Sequence, residues 1–253
     1  MNIILITGAS SGIGLEFALQ LDNVFTKVDE IWMIARRKEE MLKVAECMEH
    51  TTRILDMDVT KEEHLERLKE LLADEKPCIR MLVNCAGYGV MGKFDTLQLA
   101  EQTGMLDVNC KALTALTYMC IPYMKRNSRI IQLASSAAFM PQPGFAVYAA
   151  SKAYVYSFSR ALSEELRKKE IYVTAVCPGP VNTPFFEIAE KNGKTLACKK
   201  LFLASAEKVV EKAINDSYHK RRISVYGVSI KSLHALTKVL PQQLILDVMR
   251  VLK

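Results

Sequence analysis

The chain has 253 residues, of which half are apolar and a quarter charged, with a net charge of +6. This length suits one domain with a sizeable core, and the composition excludes a disordered or fibrous protein. No basic stripe with interleaved aromatic residues indicates nucleic-acid binding, and the run from Lys220 to Arg222 is interpreted as a solvated turn. No apolar run approaches the length of a membrane-spanning helix.

The cysteines and histidines argue against a disulfide framework and a metal site. Seven cysteines occur without a CxxC pair, and several lie in apolar runs where a thiol behaves as a small hydrophobic group. Strand-like residues begin at Met1, which leaves no room for a secretory leader. We therefore expect a reducing, cytoplasmic location. The four histidines show no ligand spacing, so no metal site is expected.

The first predicted strand, from Ile3 to Thr7, ends in a glycine-containing turn, TGASSGIG, which leads into a helical pattern through Leu21. Glycines allow a backbone to approach phosphate closely, and the amino end of the following helix attracts negative charge. The spacing is GxxxGxG rather than GxGxxG. The segment favours a dinucleotide-binding loop, although a plain strand-to-helix turn has the same outline.

The second predicted strand, Ile31 to Ala35, is followed by Arg36 and Arg37. In dinucleotide folds an acidic residue at this position binds the ribose hydroxyls of NAD, whereas a basic residue accommodates the 2′-phosphate of NADP. The acid is missing here, and guanidinium groups suit phosphate, so NADP(H) is the predicted cofactor. The alternative is a solvated basic start to the next predicted helix, which runs over residues 38–49.

Strands and helices continue to alternate along the chain. The further predicted strands are at 51–59, 81–84, 129–135 and 171–177. A long helix is predicted from Glu101 to Arg126, with Asn109 in its apolar middle. The alternation predicts an α/β fold with a single Rossmann-type, doubly wound parallel sheet between two helical layers. Ligands of such sheets bind beyond the carboxyl ends of the strands, where Asp58, Asn84 and Ser135 are expected to meet.

Tyr148 and Lys152 are four residues apart in a predicted helix, and Ser135 precedes the tyrosine by thirteen residues. Positions i and i+4 share one face of a helix, so the ammonium group can lie beside the phenol. A nearby positive charge favours the phenolate and would lower the pKa of the tyrosine, which suits proton transfer to a carbonyl oxygen. Taken alone, the pair also fits a half-buried tyrosine with a lysine stem along the helix.

Together these segments carry a family resemblance. The matching motifs, in order, are TGASSGIG at 7–14, DVT at 58–60, NCAG at 84–87, Asn109, Ser135, YAASK at 148–152 and PGPVNT at 178–183. On these motifs the chain resembles the short-chain dehydrogenase/reductase family over roughly residues 1–185. Cys85 and Gln132 stand where that family commonly has asparagine, which concerns local packing more than chemistry.

The resemblance implies roles for individual residues. The implied cofactor-binding residues are Gly8, Ser10, Ser11, Gly12, Ile13 and Gly14 at the phosphates, Arg36 and Arg37 at the 2′-phosphate, Asp58 and Val59 at adenine, Asn84, Ala86 and Gly87 on the adenosine ribose side, Tyr148 and Lys152 at the nicotinamide ribose, and Val181 and Thr183 at the carboxamide. Tyr148 would be the acid/base and Lys152 would lower its pKa. Ser135 would bind the substrate oxygen, and Asn109 would anchor a water that relays protons.

The expected activity is hydride transfer between a nicotinamide cofactor and a carbonyl or secondary alcohol. Aromatic residues and methionines between 88 and 95, between 139 and 147 and at 185–186 suggest an apolar pocket for a steroid- or lipid-like ketone or an aldehyde, although plain packing would explain them equally well. The alternatives are a 3-ketoacyl-carrier reductase, with Lys191, Lys194, Lys199 and Lys200 as carrier contacts, and a non-catalytic NADP(H)-binding redox sensor.

The chain beyond residue 185 is the substrate loop and C-terminal segment of the one expected domain. Its last residues, 244–252, have an apolar helical spacing that fits packing on the same domain, a cover over the pocket, a membrane surface or a partner subunit. The resemblance further implies a homodimer or homotetramer formed through the helices that hold Asn109 and Tyr148.

Overall fold

The computed structural model describes residues 1–190 and 203–251. Its centre is a parallel sheet in which the described strands follow the order β3-β2-β1-β4-β5-β6-β7. The strands are β1 (Asn2–Thr7), β2 (Glu30–Ala35), β3 (Thr51–Asp56), β4 (Cys78–Asn84), β5 (Met124–Leu133), β6 (Tyr172–Val176) and β7 (Ile223–Ser224). The strand order reverses between β1 and β4, which is the switch point of a doubly wound sheet.

Helices cover both faces of the sheet. The described α-helices are α1 (Gly12–Val24), α2 (Lys38–Ala45), α3 (Glu62–Glu75), α4 (Leu99–Leu106), α5 (Leu113–Cys120), α6 (Ala146–Glu165), α7 (Phe185–Ala189), α8 (Ala206–Tyr218), α9 (Val228–Val239) and α10 (Gln242–Val251). The short turns are a π-helical turn at Asp107–Ala112 and 3₁₀ turns at Ile121–Tyr123, Ser136–Phe139 and Arg167–Lys169. The predicted α/β fold with a doubly wound parallel sheet is confirmed.

The alternation of side chains along β1 explains why the sheet is covered on both sides. Ile4 and Ile6 pack in one apolar cluster with Phe17 of α1, whereas Ile3 and Leu5 pack in another with Leu116 of α5. Because successive side chains of a strand point to opposite faces, a continuous apolar run can bury both faces of a central strand. The core therefore lies in two layers, one above and one below the sheet.

The prediction of one long helix from Glu101 to Arg126 was wrong. The helix begins at Leu99, widens into the π-helical turn that contains Asn109, resumes in α5 and ends at Cys120. Strand β5 then begins at Met124 and contains Asn127 with a φ of 67°. The Ser128 hydroxyl accepts a hydrogen bond from the Lys125 N–H and donates one to the Ile79 carbonyl. This irregular start of β5 has no apolar alternation, so the sequence pattern did not reveal it.

The carboxyl end of the sheet is held together by Thr7. This fully buried residue ends β1, and its hydroxyl oxygen accepts hydrogen bonds from the N–H groups of Cys85 and Ala86, at 3.2 and 3.1 Å. Each such bond contributes about 1 kcal/mol, and it fixes the chain that leaves β4 against the loop that leaves β1. The two loops thus form one wall.

Candidate active site

A cavity of about 630 Å³ opens at the carboxyl ends of the strands on both sides of the switch point. It is lined by the glycine loop after β1, by Arg36 and Arg37 after β2, by the segments after β3, β4, β5 and β6, and by α9. Ligands of doubly wound folds bind in this crevice. The cavity has the size of sites that take small organic ligands.

The loop between β1 and α1 requires its glycines for steric reasons. Gly8 has a φ of +70°, and a Cβ at this residue would lie 2.8 Å from the Ala86 nitrogen. Gly12 has a φ of +58°, and a Cβ at Gly14 would collide with the Gly8 carbonyl oxygen. Ser11 precedes α1, but its side chain makes no capping hydrogen bond. The first N–H groups of α1 are therefore available to an anionic ligand at a bare-backbone cradle.

The two arginines after β2 are at one end of the cavity and are arranged differently. Arg37 donates hydrogen bonds to the Ser10 hydroxyl at 3.1 and 3.3 Å and to the Ser11 hydroxyl at 2.6 Å. Arg36 is 77% exposed in its side chain, and its guanidinium lies 4.0 Å from the Asp58 carboxylate. Two guanidinium groups and two hydroxyls thus surround this end of the cavity.

Asp58 and Val59 line the cavity beyond β3. The Asp58 carboxylate accepts hydrogen bonds from the Thr60 N–H at 3.0 Å and the Thr60 hydroxyl at 2.7 Å. Burial opposes ionisation of Asp58, but these bonds and the charge of Arg36 outweigh it and lower the pKa of the carboxyl group. The Asp58 N–H donates to His64 Nδ1 at 2.8 Å, which the sequence did not suggest.

The structure places Ala86 and Gly87 at the cavity wall but Asn84 below it. Asn84 Nδ2 donates to Gln132 Oε1 at 3.0 Å and to the Thr117 hydroxyl at 3.1 Å. Gln132 Nε2 also donates to Thr117, at 2.9 Å. Gln132, one of the two departures from the family pattern, is therefore part of a buried amide network that supports β4 and β5.

Tyr148 and Ser135 meet at the other end of the cavity. Ser135 follows β5, and its hydroxyl accepts a hydrogen bond from the Ala137 N–H at 3.1 Å and is hydrogen-bonded to the Tyr148 hydroxyl. Tyr148 is near the start of α6 and is 7% exposed. The pKa of Tyr148 is raised to about 12 by burial, although the hydrogen bond to Ser135 acts to lower it. The pKa of Tyr148 therefore lies above its ordinary value, which is the opposite of the lowering that the YxxxK spacing predicts.

Lys152 lies one helical turn after Tyr148, on the same face of α6. Its ammonium nitrogen is 5.8 Å from the centre of the Tyr148 ring and donates to the Leu133 carbonyl at 2.7 Å. Burial lowers the pKa of Lys152 to about 8, an effect opposed by the nearby thiols Cys85, Cys110 and Cys177. A buried cation with one fixed acceptor is thus aligned with the phenol.

Asn109 is fully buried in the π-helical turn and joins the loop after β4 to α6. Its carboxamide accepts from the Tyr88 N–H at 3.1 Å and donates to the Tyr88 carbonyl and the Ser151 hydroxyl, each at 3.0 Å. A Cβ at Gly87 would lie 2.8 Å from Asn109 Oδ1 and 3.4 Å from Lys152 Nζ. Gly87 thus leaves a small gap between these polar atoms.

Helix α9 forms a wall of the cavity that the sequence did not reveal. Ser229, Ile230 and Leu233 line the cavity, and a Cβ at Gly179 would lie 2.7 Å from Ile230 Cδ1. The helix is anchored by His234, which stacks on Phe139 with ring centres 4.2 Å apart. The sequence suggested a cover over the pocket only for residues 244–252, so this wall at residues 228–239 was not predicted.

The apolar residues expected at the pocket divide into two groups. Those that line the cavity are Tyr88, Met140, Phe145, Phe185 and Phe186, together with Val181 and Thr183 of the PGPVNT segment. Phe139 and Met91 do not line it. Phe139 packs instead against Tyr156 and His234, and Met91 belongs to the apolar cluster beneath the cavity. The apolar end of the cavity thus lies beside Tyr148.

A glycine cradle, a pair of arginines and a tyrosine–lysine–serine cluster around one crevice define a nucleotide-dependent oxidoreductase of the doubly wound class. The family model for short chain dehydrogenases matches residues 2–193. The chain therefore belongs to the short-chain dehydrogenase family, and its substrate is a small molecule with a carbonyl or alcohol group.

Three known proteins illustrate the similarity. The chain is 29% identical over 188 residues to an uncharacterized oxidoreductase of Staphylococcus epidermidis, covering 74% of this chain and 80% of the bacterial one. It is 32% identical over 189 residues to mouse 17-beta-hydroxysteroid dehydrogenase type 3, covering 71% of this chain and 60% of the mouse protein. A short-chain dehydrogenase from Sphingobium yanoikuyae, solved with NADPH, shares the fold at a TM-score of 0.78 and 23% identity, covering 96% of this chain and 97% of that one.

Across residues 1–190 and 203–251, no helix combines the length and the apolar character that crossing a membrane requires.

Proposed function

We propose that this protein is an NADP(H)-dependent reductase of lipophilic ketones or aldehydes, with Asn109, Ser135, Tyr148 and Lys152 as its catalytic set. The observation that carries this proposal is the convergence of Ser135, Tyr148 and Lys152 on the apolar end of the cavity whose opposite end bears Arg36 and Arg37. Asn109 does not line the cavity and is buried behind Gly87. A cofactor that reaches from the arginines to Tyr148 would have to cross the glycine cradle between them.

The residues present fit a nicotinamide dinucleotide. The loop after β1 has no room for a Cβ at Gly8 or Gly14, as expected where a backbone closely approaches phosphate. The pyrophosphate of the cofactor would lie at the amino end of α1, and Val181 and Thr183 would hold the carboxamide of its nicotinamide. When bound, the cofactor supplies or accepts the hydride at the substrate carbon.

The chain's own residues would manage the substrate oxygen and its proton. Ser135 would hydrogen-bond the oxygen and orient the carbonyl, because its hydroxyl already meets the Tyr148 hydroxyl. Tyr148 would donate the proton as the alcohol forms, and the positive charge of Lys152 would stabilise the phenolate that remains. Asn109 and Lys152, on either side of Gly87, would line the path by which the proton is replaced.

The preference for NADP(H) over NAD(H) is supported by the environment of the arginines. The Arg37 guanidinium is held over Ser10 and Ser11 by hydrogen bonds, so it is pre-positioned for a phosphate on the adenosine ribose. Arg36 lies on the other side, near Asp58. No carboxylate follows Ala35 at the end of β2, where NAD-binding folds place one.

A lipophilic substrate is supported by the aromatic and aliphatic side chains beside Tyr148. Phe145 stacks on Tyr148 with ring centres 4.2 Å apart, and Phe185 lies 5.5 Å from it. Ile230 and Leu233 add an aliphatic wall. The similarity to a mouse 17-beta-hydroxysteroid dehydrogenase favours a steroid-like ketone within this class.

The test is NADPH oxidation by the purified wild type and Tyr148→Phe across steroid ketones, aldehydes, diketones and ketoacyl thioesters, with NADH in parallel. Turnover of one lipophilic class, reduced at least about a hundredfold by the substitution and weaker with NADH, is the expected result. Tyr154→Phe on the same helix is the matched control, because it removes a hydroxyl that bonds Thr114 rather than Ser135. Equal rates in Tyr148→Phe and wild type would contradict the proposal.

The same panel distinguishes the alternatives. Turnover confined to ketoacyl thioesters would favour the carrier reductase, whose expected contacts at Lys191, Lys194, Lys199 and Lys200 lie outside the described residues. Tight NADPH binding without turnover of any class would favour the redox sensor. The complete catalytic set argues against the sensor, since a binding module has no need of an acid/base pair.

We further propose that the chain is one domain of residues 1–253 that forms a homodimer or homotetramer in a reducing cytoplasmic compartment. The surface near Asn109 and Tyr148 exposes Leu106, Tyr118 and Tyr154, at 43%, 80% and 42%. Such a surface suits a subunit interface. Sedimentation equilibrium that detects only monomer would refute the oligomer. The described cysteines are free thiols, which supports the compartment.

A further inference from the structure

A cluster of arginines and lysines lies at the edge of the sheet opposite the cavity, at the amino ends of β4 to β7. We call it the basic face. Its members are Arg80, Lys125, Arg126, Arg129, Arg167, Lys168, Lys169, Lys220, Arg221 and Arg222. The sequence contains two short basic runs, Arg167 to Lys169 and Lys220 to Arg222, which lie about fifty residues apart, so it did not show that these cations form one face.

Hydrogen bonds between adjacent connections bring these segments together. The Asn127 N–H donates to the Glu170 carbonyl at 2.9 Å, which joins the start of β5 to the turn after α6. The Arg129 side chain donates to the Ser217 carbonyl at 3.3 Å, and the Thr174 hydroxyl donates to the Arg221 carbonyl at 2.7 Å. The turn after α8 is thereby fixed beside β5 and β6.

The basic face carries more positive than negative charge. Four acidic residues lie beside its ten basic ones, namely Glu164, Glu165, Glu170 and Asp216. This local excess of positive charge favours anionic partners.

Structural roles explain only part of the cluster. Arg126 pairs with Glu170, Arg222 with Glu164 at 2.5 Å and Arg221 with Asp216 at 3.4 Å. Cations after α6 and α8 also stabilise the carboxyl ends of those helices. Neither role applies to Lys125, which begins β5 and makes no ion pair with any described carboxylate. Lys168 and Lys169 also make no ion pair with any residue in the described part of the chain.

Aromatic and aliphatic side chains lie beside these cations. The Arg129 guanidinium is 4.7 Å from the ring centre of Tyr218, and the Lys220 ammonium is 4.5 Å from that of Tyr172. Phe25 meets Tyr218 edge-on at 6.4 Å, and the neighbouring Val24 is 55% exposed. Tyrosines with one apolar and one polar end suit the interface between a bilayer and water.

We propose that the basic face docks the protein on an anionic lipid bilayer. Its segments extend across three strand spacings, about 15 Å, so several exposed cations can approach one layer of headgroups together. Tyr218, Phe25 and Val24 would enter the headgroup region beside them. The exposed aliphatic side chain of Val24, which cannot stack on a base, favours a bilayer over a nucleic acid.

Docking by this edge leaves the cavity accessible. The cavity lies at the carboxyl ends of the strands and the basic face at their amino ends, so the cavity mouth points away from the bilayer. Membrane binding of the free protein is therefore independent of the proposed activity and of any substrate.

The experiment is co-sedimentation of the full chain with vesicles of phosphatidylcholine alone or with about 30% phosphatidylserine, at low and at physiological salt. Binding to the anionic vesicles only, weakened by salt, is the expected result. Each basic residue near an anionic bilayer contributes about fivefold in binding, so Lys125→Gln/Lys168→Gln/Lys169→Gln should weaken it on the order of a hundredfold. These side chains are exposed and make no described ion pair, so the thermal unfolding midpoint should fall by only a few degrees, through the weaker charge at the carboxyl end of α6.

The matched control is Lys93→Gln/Lys111→Gln/Lys231→Gln, which removes the same charge from exposed sites elsewhere. It should stay within a few-fold of the wild type. If both triple variants lost vesicle binding equally, the binding would depend only on the net charge of the chain, and the proposal would be overturned. Absence of vesicle binding, including the case in which RNA or an acidic polypeptide is bound by the same lysines, would overturn it as well.

Discussion

Replacing Lys152 by methionine should stabilise the cofactor-free protein at neutral pH while it abolishes turnover. Lys152 is 4% exposed, and its hydrogen bond to the Leu133 carbonyl at 2.7 Å does not compensate for its removal from water. Burial lowers the pKa of this amine from 10.5 to about 8. At pH 7 the folded protein must therefore hold a charged group in a site that favours the neutral one.

The pKa shift sets the size and sign of the effect. Each unit corresponds to about 1.4 kcal/mol, so the charged Lys152 costs about 3 kcal/mol of unfolding free energy at pH 7. Loss of its hydrogen bond leaves the Leu133 carbonyl unpaired, at a cost of about 1–3 kcal/mol. Lys152→Met should then be up to about 2 kcal/mol more stable than wild type at pH 7.

The difference should reverse as pH rises. Because the folded pKa lies below the unfolded one, the unfolded chain binds more protons between about pH 8 and 10.5. The wild type therefore gains stability relative to the variant through this window, by about 3 kcal/mol in total.

The assay is urea unfolding of both cofactor-free proteins at steps from pH 7 to 10.5, followed by circular dichroism. Lys111→Met is the control, because it makes the same substitution at an exposed lysine. A pH-independent difference between wild type and Lys152→Met would refute the reasoning, since it would mean that the folded and unfolded amines titrate alike.

Three further changes test the proposed site. Arg37→Ala should lower the ratio of NADPH to NADH affinity by about tenfold to a hundredfold, because it removes a charged hydrogen-bond donor, and fluorescence titration measures both affinities. Gln132→Leu should lower the unfolding free energy by about 1–3 kcal/mol in urea, because Asn84 loses its acceptor at 3.0 Å. Ile230→Ala should shift kcat/KM towards bulkier ketones with unchanged NADPH affinity, because Ile230 borders the cavity opposite Gly179.

Each of these changes has a contrasting outcome. An unchanged cofactor ratio in Arg37→Ala would reject the 2′-phosphate role, and Lys38→Ala is the neighbouring basic control. Full stability of Gln132→Leu would mean that the buried amide network contributes nothing. Leu236 is an exposed residue of the same helix, and Leu236→Ala is the control for Ile230→Ala. If both variants show the same preference among ketones, α9 does not select substrates through Ile230.

The sequence was sufficient for six of the seven described strands, all except β7, and for the location of the site. Apolar runs such as Ile3 to Thr7 and Ile31 to Ala35 are short and bounded by turns, so their length and composition indicated buried parallel strands. Polar residues directly after such runs, including Asp58 and Ser135, were expected at one edge because parallel strands end there together. The structure brings both to the cavity wall.

Features that depend on distant packing were beyond the sequence pattern. The π-helical turn at Asp107–Ala112 has the apolar spacing of an ordinary helix, so nothing local distinguishes it. The pKa of Tyr148 depends on how deeply the phenol is buried, which periodicity does not report. The basic face is assembled from four segments at the amino ends of β4 to β7, which are far apart along the chain.

The position of α9 bears on how a substrate should be assigned to this chain. The family model ends at residue 193, whereas Ser229, Ile230 and Leu233 of α9 form one wall of the cavity. The chemistry beside Tyr148 thus follows the shared part of the family, while part of the surface that meets the substrate lies outside it. Two members with the same first 190 residues can then carry out one reaction on molecules of different shape, and a substrate name should be transferred between relatives only when α9 is compared as well.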